Sequence, residues 1–187
     1  MRNTFIYHNL EKNSLLNAFL NLSDKNETIS ILVSNLDNKD NLLPIDYITY
    51  DIIAGIGCIN KLISNKDSLN SLKDFHDENK DWLFGYISYD LKNELEELNS
   101  NNYGGFISDN LTFFIPEFVM LFKNNTLEVK SYNNKEECDA LVSSLNYSEQ
   151  LLFDETVNLK ARETKKSYLN KIYSIKEHIQ RGDIYEM

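Results

Sequence analysis

LTFFIPEFVMLFKNNTLEVKSY, residues 111–132, decides the fold. Its first half, Leu111 to Phe122, is a long apolar run interrupted by Pro116, which has no N–H to give a sheet ladder and so marks an edge, a bend or a bulge. Thr126 to Tyr132 follows across the polar Lys123 to Asn125 and pairs naturally with that run as a hairpin. An antiparallel sheet is expected here.

Upstream, Trp82 to Ser88 (WLFGYIS) reads as a strand by composition. Gly85 lies in its interior, where a missing side chain marks close approach of another backbone or a bulge. Asp90 stands where an N-cap belongs, ahead of Leu91, Leu95 and Leu98 at helical spacing. Asn99 to Asn110 reads as loop, and the charged Ser64 to Lys80 as a surface helix with loops. Asp46 to Ile53 alternates, and fits either a half-buried strand or the start of a helix running to Ile63. Thr28 to Ser34 (TISILVS) is a β-branched strand candidate, and Leu10 to Leu22 an amphipathic helix through Leu15, Leu16, Phe19, Leu20 and Leu22.

Downstream, Lys135 to Leu145 forms a second amphipathic pattern through Cys138, Leu141, Val142 and Leu145. Thr164, a candidate N-cap, opens a third, in which Leu169, Ile172, Ile175 and Ile179 recur until Gly182 stops it. Asp183 to Met187 reads as the beginning of a strand. The expected class is α+β: a largely antiparallel sheet with packed amphipathic helices on one face. Residues 1–160 are expected to form the N-terminal domain, and 161–187 the helix and first strand of a second one.

Composition narrows the function. The 187 residues carry 19 Lys+Arg against 29 Asp+Glu, a formal net charge of −10, which argues against nucleic acid or an anionic membrane as the partner. No run approaches the roughly 20 apolar residues of a membrane span, and the start has no charged-then-apolar leader, so a cytoplasmic protein is expected. Cys58 and Cys138 are far apart and read as ordinary packed residues. His8, His76 and His178 are scattered without metal-ligand spacing. Gly55-Ile56-Gly57 lacks the third glycine of a dinucleotide fingerprint and reads as tight packing. No nucleophile and base pair is visible.

Asp81 to Lys92 (DWLFGYISYDLK) resembles the Gly-Tyr-x-Ser-Tyr-Asp segment of the large subunits of anthranilate synthase and para-aminobenzoate (aminodeoxychorismate) synthase. Phe113-Phe114-Ile115-Pro116-Glu117 is similar to the family's Phe-x-Phe-Pro-Asp segment. Ile31-Leu32-Val33-Ser34 falls where its Leu-Leu-Glu-Ser strand belongs, and Tyr168 to Met187, with Ile175 to Glu186 inside it, is similar to the helix and Gly-Asp-Ile-Tyr/Phe-Gln segment that opens its chorismate-binding half. Glu186 stands where Gln is usual.

The resemblance implies an α+β N-terminal region of an enzyme that aminates chorismate. Ammonia would come from a glutamine amidotransferase subunit, Mg²⁺ would neutralise substrate carboxylates in the full-length enzyme, and the catalytic groups would lie beyond residue 187. No cofactor is expected in this stretch, which alone should not turn over chorismate. The resemblance also implies an effector site for a tryptophan-like ligand at Ile31, Leu32 and Ser34. There the Ser34 hydroxyl either bonds a ligand or simply ends the strand, and Val33 removes the charge partner that the family's Glu provides. That departure favours the aminodeoxychorismate branch over the anthranilate branch. A stand-alone amino-acid-binding module, or an interaction module forming a homodimer through the Tyr168 to Ile179 helix, are the other readings.

Overall fold

A computed structural model describes residues 1–23, 28–34, 50–96, 108–145 and 159–186. The chain divides into two compact units, Met1–Leu151 and Leu152–Met187.

The first unit is built on two antiparallel sheets. Strands β1 (Asn3–His8), β2 (Ile29–Val33), β3 (Ile52–Ile56), β7 (Phe118–Lys123) and β8 (Thr126–Ser131) form a five-stranded sheet in the order β1-β8-β7-β3-β2. Strands β4 (Asn60–Ser64), β5 (Phe84–Ile87) and β6 (Leu111–Ile115) form a second, in the order β4-β6-β5. The expected α+β class holds, with two sheets in place of one.

The apolar run 111–122 is long because it serves both sheets. β6 ends at Ile115, the chain bends at Pro116 and Glu117, and β7 begins in the other sheet. β3 and β4 make the same crossing alongside. Gly57 takes a positive φ of 75° there, and the Ile59 N–H donates to the Ile115 carbonyl at 2.8 Å. β3–β4 and β6–β7 are thus one antiparallel ribbon folded at a shared corner, the way strands switch between packed sheets. The alternating stretch before Ile53 resolves in favour of strand for β3, and the expectation of a helix onward to Ile63 gives way to β4. Residues 46–49 of it lie outside the described residues.

Both faces of β7 are covered, which is why it is apolar at five consecutive positions. Phe118, Met120 and Phe122 join the larger core cluster with Leu15, Ala18 and Phe19 of helix α1 (Lys12–Ser23) and Cys138 and Val142 of helix α4 (Lys135–Ser144). Val119 and Leu121 meet Phe84 and Phe114 of the three-stranded sheet. Gly55 has no side chain because a Cβ there would stand 2.8 Å from the Phe84 ring.

Helix starts are capped in different ways. Asn134 and Glu137 form a reciprocal capping box on α4. Glu11 accepts the backbone N–H groups of Asn13 and Ser14 at the start of α1. Helix α2 (Ser68–Asn79) has Asp67 at its N-cap, but the Asp67 carboxylate makes no capping bond and instead accepts the Asn70 side-chain amide at 2.7 Å. Glu94, from the short helix α3 (Lys92–Leu95), substitutes: it accepts the Ser68 N–H at 2.8 Å, the Ser68 hydroxyl at 2.6 Å and the Asn110 amide at 2.7 Å. These bonds hold the Glu94 carboxyl below the usual carboxylate range.

The reading of Asp90 as an N-cap needs correction. Tyr89–Leu91 is a 3₁₀ turn with Ser88 before it, and α3 starts only at Lys92. Asp90 lies inside the turn, its carboxylate 3.4 Å from Lys92 Nζ. Leu98 and most of the 99–110 loop lie outside the described residues.

The β7–β8 hairpin turns on Asn124 and Asn125, with φ of 49° and 60°. Two successive positive φ angles are the pattern of a type I′ turn, where glycine at the second position is favoured. Asn125→Gly should therefore raise stability by about 0.5 kcal/mol, read as a higher urea midpoint with unchanged slope; a lower midpoint would refute it.

In the second unit, helix α5 (Lys165–Arg181) begins and ends as the sequence predicts, with the Thr164 hydroxyl accepting the Ser167 N–H and Gly182 in the left-handed region at φ 81°. None of its residues is buried. The expected strand after it does not form among residues 183–186; instead Asp183 folds back, its carboxylate 2.8 Å from His178 Nδ1. A strand exists only through a ladder partner, and no described strand pairs with this segment.

Candidate functional site

Ile31, Leu32 and Ser34 lie on and just after the edge strand β2, and alternation divides them. Ile31, like Ile29, packs against the larger core cluster. Leu32 stands opposite Ile53 in the ladder, on the other face, and is 59% exposed. Ser34 shares that parity. Its N–H donates to the Asp51 carbonyl at 2.9 Å, and its own carbonyl accepts Lys12 Nζ at 3.0 Å. The Asp51 carboxylate accepts the Asn124 N–H at 3.3 Å. A ligand on this face would meet Leu32 and Ser34 together, with Ile31 behind the sheet.

A second cluster was not foreseen, because its members are far apart in sequence. Arg2 Nε donates to Asp81 Oδ1 at 2.8 Å and Nη2 to Oδ2 at 2.8 Å. Nη2 also reaches the Pro116 carbonyl at 2.6 Å, and Nη1 the carbonyls of Glu117 and Lys130 at 3.0 and 3.4 Å. All five guanidinium N–H donors are thereby used. Tyr132 completes the knot, its ring 4.7 Å from the guanidinium and its hydroxyl donating to Asp81. Burial pushes the Asp81 carboxyl up, but Arg2, the Trp82 N–H and Tyr132 outweigh it and hold it below the ordinary range. A cavity of about 500 Å³ opens beside the knot, between Thr4, Lys80, Trp82 and Lys130. Arg2, with no donor left, is a clamp on the fold and not a ligand group.

A third region is the turn of the Gly-Tyr-x-Ser-Tyr-Asp segment. Tyr86, Ser88, Tyr89, Asp90 and Ser108 line a cavity of about 510 Å³.

The described residues hold no group of three or more His, Cys, Asp or Glu placed to bind a metal ion. His8, His76 and His178 are exposed, Cys58 is half-buried and Cys138 buried, both free. Among the described residues no helix is long and apolar enough to cross a membrane.

Compared with known families, residues 42–187 match the model of the chorismate binding enzymes. The chain belongs to the chorismate-binding enzyme family. The match takes in both sheets from β3 onward and α5, and it contains the Gly85–Asp90 turn and the Gly182–Glu186 segment. In this member of the chorismate-binding enzyme family, β1, α1 and β2 precede the matched residues, and Ile31, Leu32 and Ser34 precede them too. A comparison with curated proteins found no match.

Proposed function

We propose that the chain is the N-terminal, non-catalytic part of an aminodeoxychorismate (para-aminobenzoate) synthase component I, which aminates chorismate in folate biosynthesis. The observation that carries this reading is that the Gly85-Tyr86-Ile87-Ser88-Tyr89-Asp90 and Gly182-Asp183-Ile184-Tyr185-Glu186 segments fall inside the residues that match the family. Val33 supports the aminodeoxychorismate branch: β2 carries no carboxylate to pair with the amino group of a tryptophan effector. In the proposed enzyme, a glutamine amidotransferase subunit supplies ammonia, Mg²⁺ meets the substrate carboxylates, and the reaction runs in the cytoplasm. The residues described here build the scaffold beside that chemistry and are expected not to convert chorismate by themselves.

Complementation tests the assignment. The intact gene should restore growth of a bacterial strain that needs para-aminobenzoate and should leave a strain lacking anthranilate synthase dependent on tryptophan. Rescue of the tryptophan requirement alone would move the protein to the anthranilate branch, and rescue of neither would remove the amination reading.

A further inference from the structure

The cavity of about 500 Å³ beside the Arg2–Asp81 knot has a size usual for small-molecule sites. Its floor follows from strand alternation: Thr4 stands opposite Lys130 in the β1–β8 ladder, and Arg2 and Tyr132 continue the same face at its end. Lys80 and Trp82 close the other side, from the connection between α2 and β5. This is the end of the sheet away from Ser34. The knot takes the carbonyls just before β7, whereas Ser34 is tied to Asp51, whose N–H donates to Phe122 near the end of β7.

The charges around this space cancel except for one. Asp81 is answered by Arg2, and Lys130 Nζ by Glu128. Lys80 is exposed and joins no ion pair among the described residues, so a chain of net charge −10 presents a single unmatched cation here. Its backbone is unusual too. Lys80 caps the end of α2 at φ 48° and ψ 46°, its N–H donating to the His76 carbonyl at 2.7 Å, in the left-handed region that favours glycine or asparagine. Strain at the backbone and an unpaired charge in the side chain both count against lysine as a structural choice. Beside it, Trp82 is 39% and Tyr132 51% exposed, although one ring packs toward Phe84 and the other over the Arg2 guanidinium. Ring surface therefore remains open to the cavity.

One unmatched ammonium next to open aromatic surface describes one ligand chemistry. We infer that this cavity binds a small aromatic monocarboxylate, its ring against Trp82 and Tyr132 and its carboxylate on Lys80 Nζ, independently of the reaction proposed above. A second negative charge on the ligand would find no partner, because Arg2 has no donor left and Lys130 is already paired. Nothing covalent is involved.

Trp82 is the chain's one tryptophan, so its fluorescence reports on the cavity directly. The probe is benzoate, with benzyl alcohol as a counterpart lacking the charge and acetate as one lacking the ring. Benzoate should change the emission saturably, and each counterpart should bind about tenfold more weakly, for the alcohol the worth of one hydrogen bond to a charged group. Lys80→Gly should bind benzoate only as weakly as benzyl alcohol, and should be at least as stable to urea as the parent because glycine accepts the left-handed φ. Absence of a saturable change, benzyl alcohol or acetate binding as well as benzoate, or undiminished benzoate binding by Lys80→Gly would each overturn the inference. So would a Lys80→Gly protein less stable than the parent, since the lysine would then serve the fold itself.

Discussion

Arg2→Met should lower the free energy of unfolding by about 3–5 kcal/mol, the usual cost of removing one partner from a buried ion pair. Arg2 and Asp81 side chains are only 5% and 8% exposed, so the carboxylate left behind would lose its main partner in a largely enclosed position. It would keep the Trp82 N–H and the Tyr132 hydroxyl, while the carbonyls of Pro116, Glu117 and Lys130 would lose their shared donor. Urea unfolding followed by tryptophan fluorescence would read the change, since Trp82 adjoins the knot. A loss under about 1 kcal/mol would mean that the pair does not hold the fold.

The pH dependence has a definite sign. Asp81 has its folded-state pKa lowered, so the stability it contributes is fully present above the unfolded carboxyl value of about 3.9 and is lost as pH falls through the depressed folded one. The gap between the parent and Arg2→Met should therefore be full at neutral pH and shrink in acid, where the stranded carboxylate of the variant becomes protonated and neutral.

Gly85→Ala should be comparably severe, about 3 kcal/mol, at the upper end for over-packing. A Cβ at that position would stand 2.0 Å from the Thr112 carbonyl oxygen and 2.7 Å from the Phe113 Cα, and both are backbone. No rotamer change relieves such a clash; β5 and β6 would have to separate. The separation would also disturb Phe84, which fills the space over Gly55. Hydrogen exchange should show protection lost first in β5 and β6. Gly182→Ala is the comparison, because a Cβ there meets nothing and only the positive φ is strained, a cost of about 1 kcal/mol. Equal effects at the two glycines would refute the close-approach account.

Much of this architecture is written locally. Pro116 inside an apolar run announces a break in the ladder, Gly85 announces a close approach, and Thr164 and Gly182 bracket a helix, because each rests on the backbone chemistry of one residue. What escapes reading is what depends on partners. The strand β1 has the weak pattern of an edge, with Ile6 59% exposed, and becomes a strand only through β8. Arg2 and Asp81 are 79 positions apart, and Glu94 caps a helix 26 positions upstream, so neither tie leaves a local trace. The Asp90 turn fails differently: an acidic residue before an apolar helix is a good capping signal, but the tight 3₁₀ turn moves the helix start past it. For the candidate sites, sequence places Ile31, Leu32 and Ser34 on one strand, whereas only the sheet shows that the first faces the core and the other two do not. Ser88 stands in a quoted motif, yet that its Oγ is buried without a hydrogen-bond partner is visible only when every neighbour is in place.

The pairing of β1 with β8 also sets an order of events. Asn3 meets Ser131 and His8 meets Thr126, so β1 completes its ladder with the described strand of its sheet that lies farthest along the sequence. At translation speeds of about 5–20 residues per second, the nascent β1 spends roughly 6–25 seconds without its partner strand. Of the partners of Arg2, Asp81 and the carbonyls of Pro116 and Glu117 are made before β8, whereas the Lys130 carbonyl arrives only with it. The clamp therefore joins the beginning of β1 to a corner and a strand laid down far later along the chain, and its full set of donors and acceptors is complete only when β8 is present.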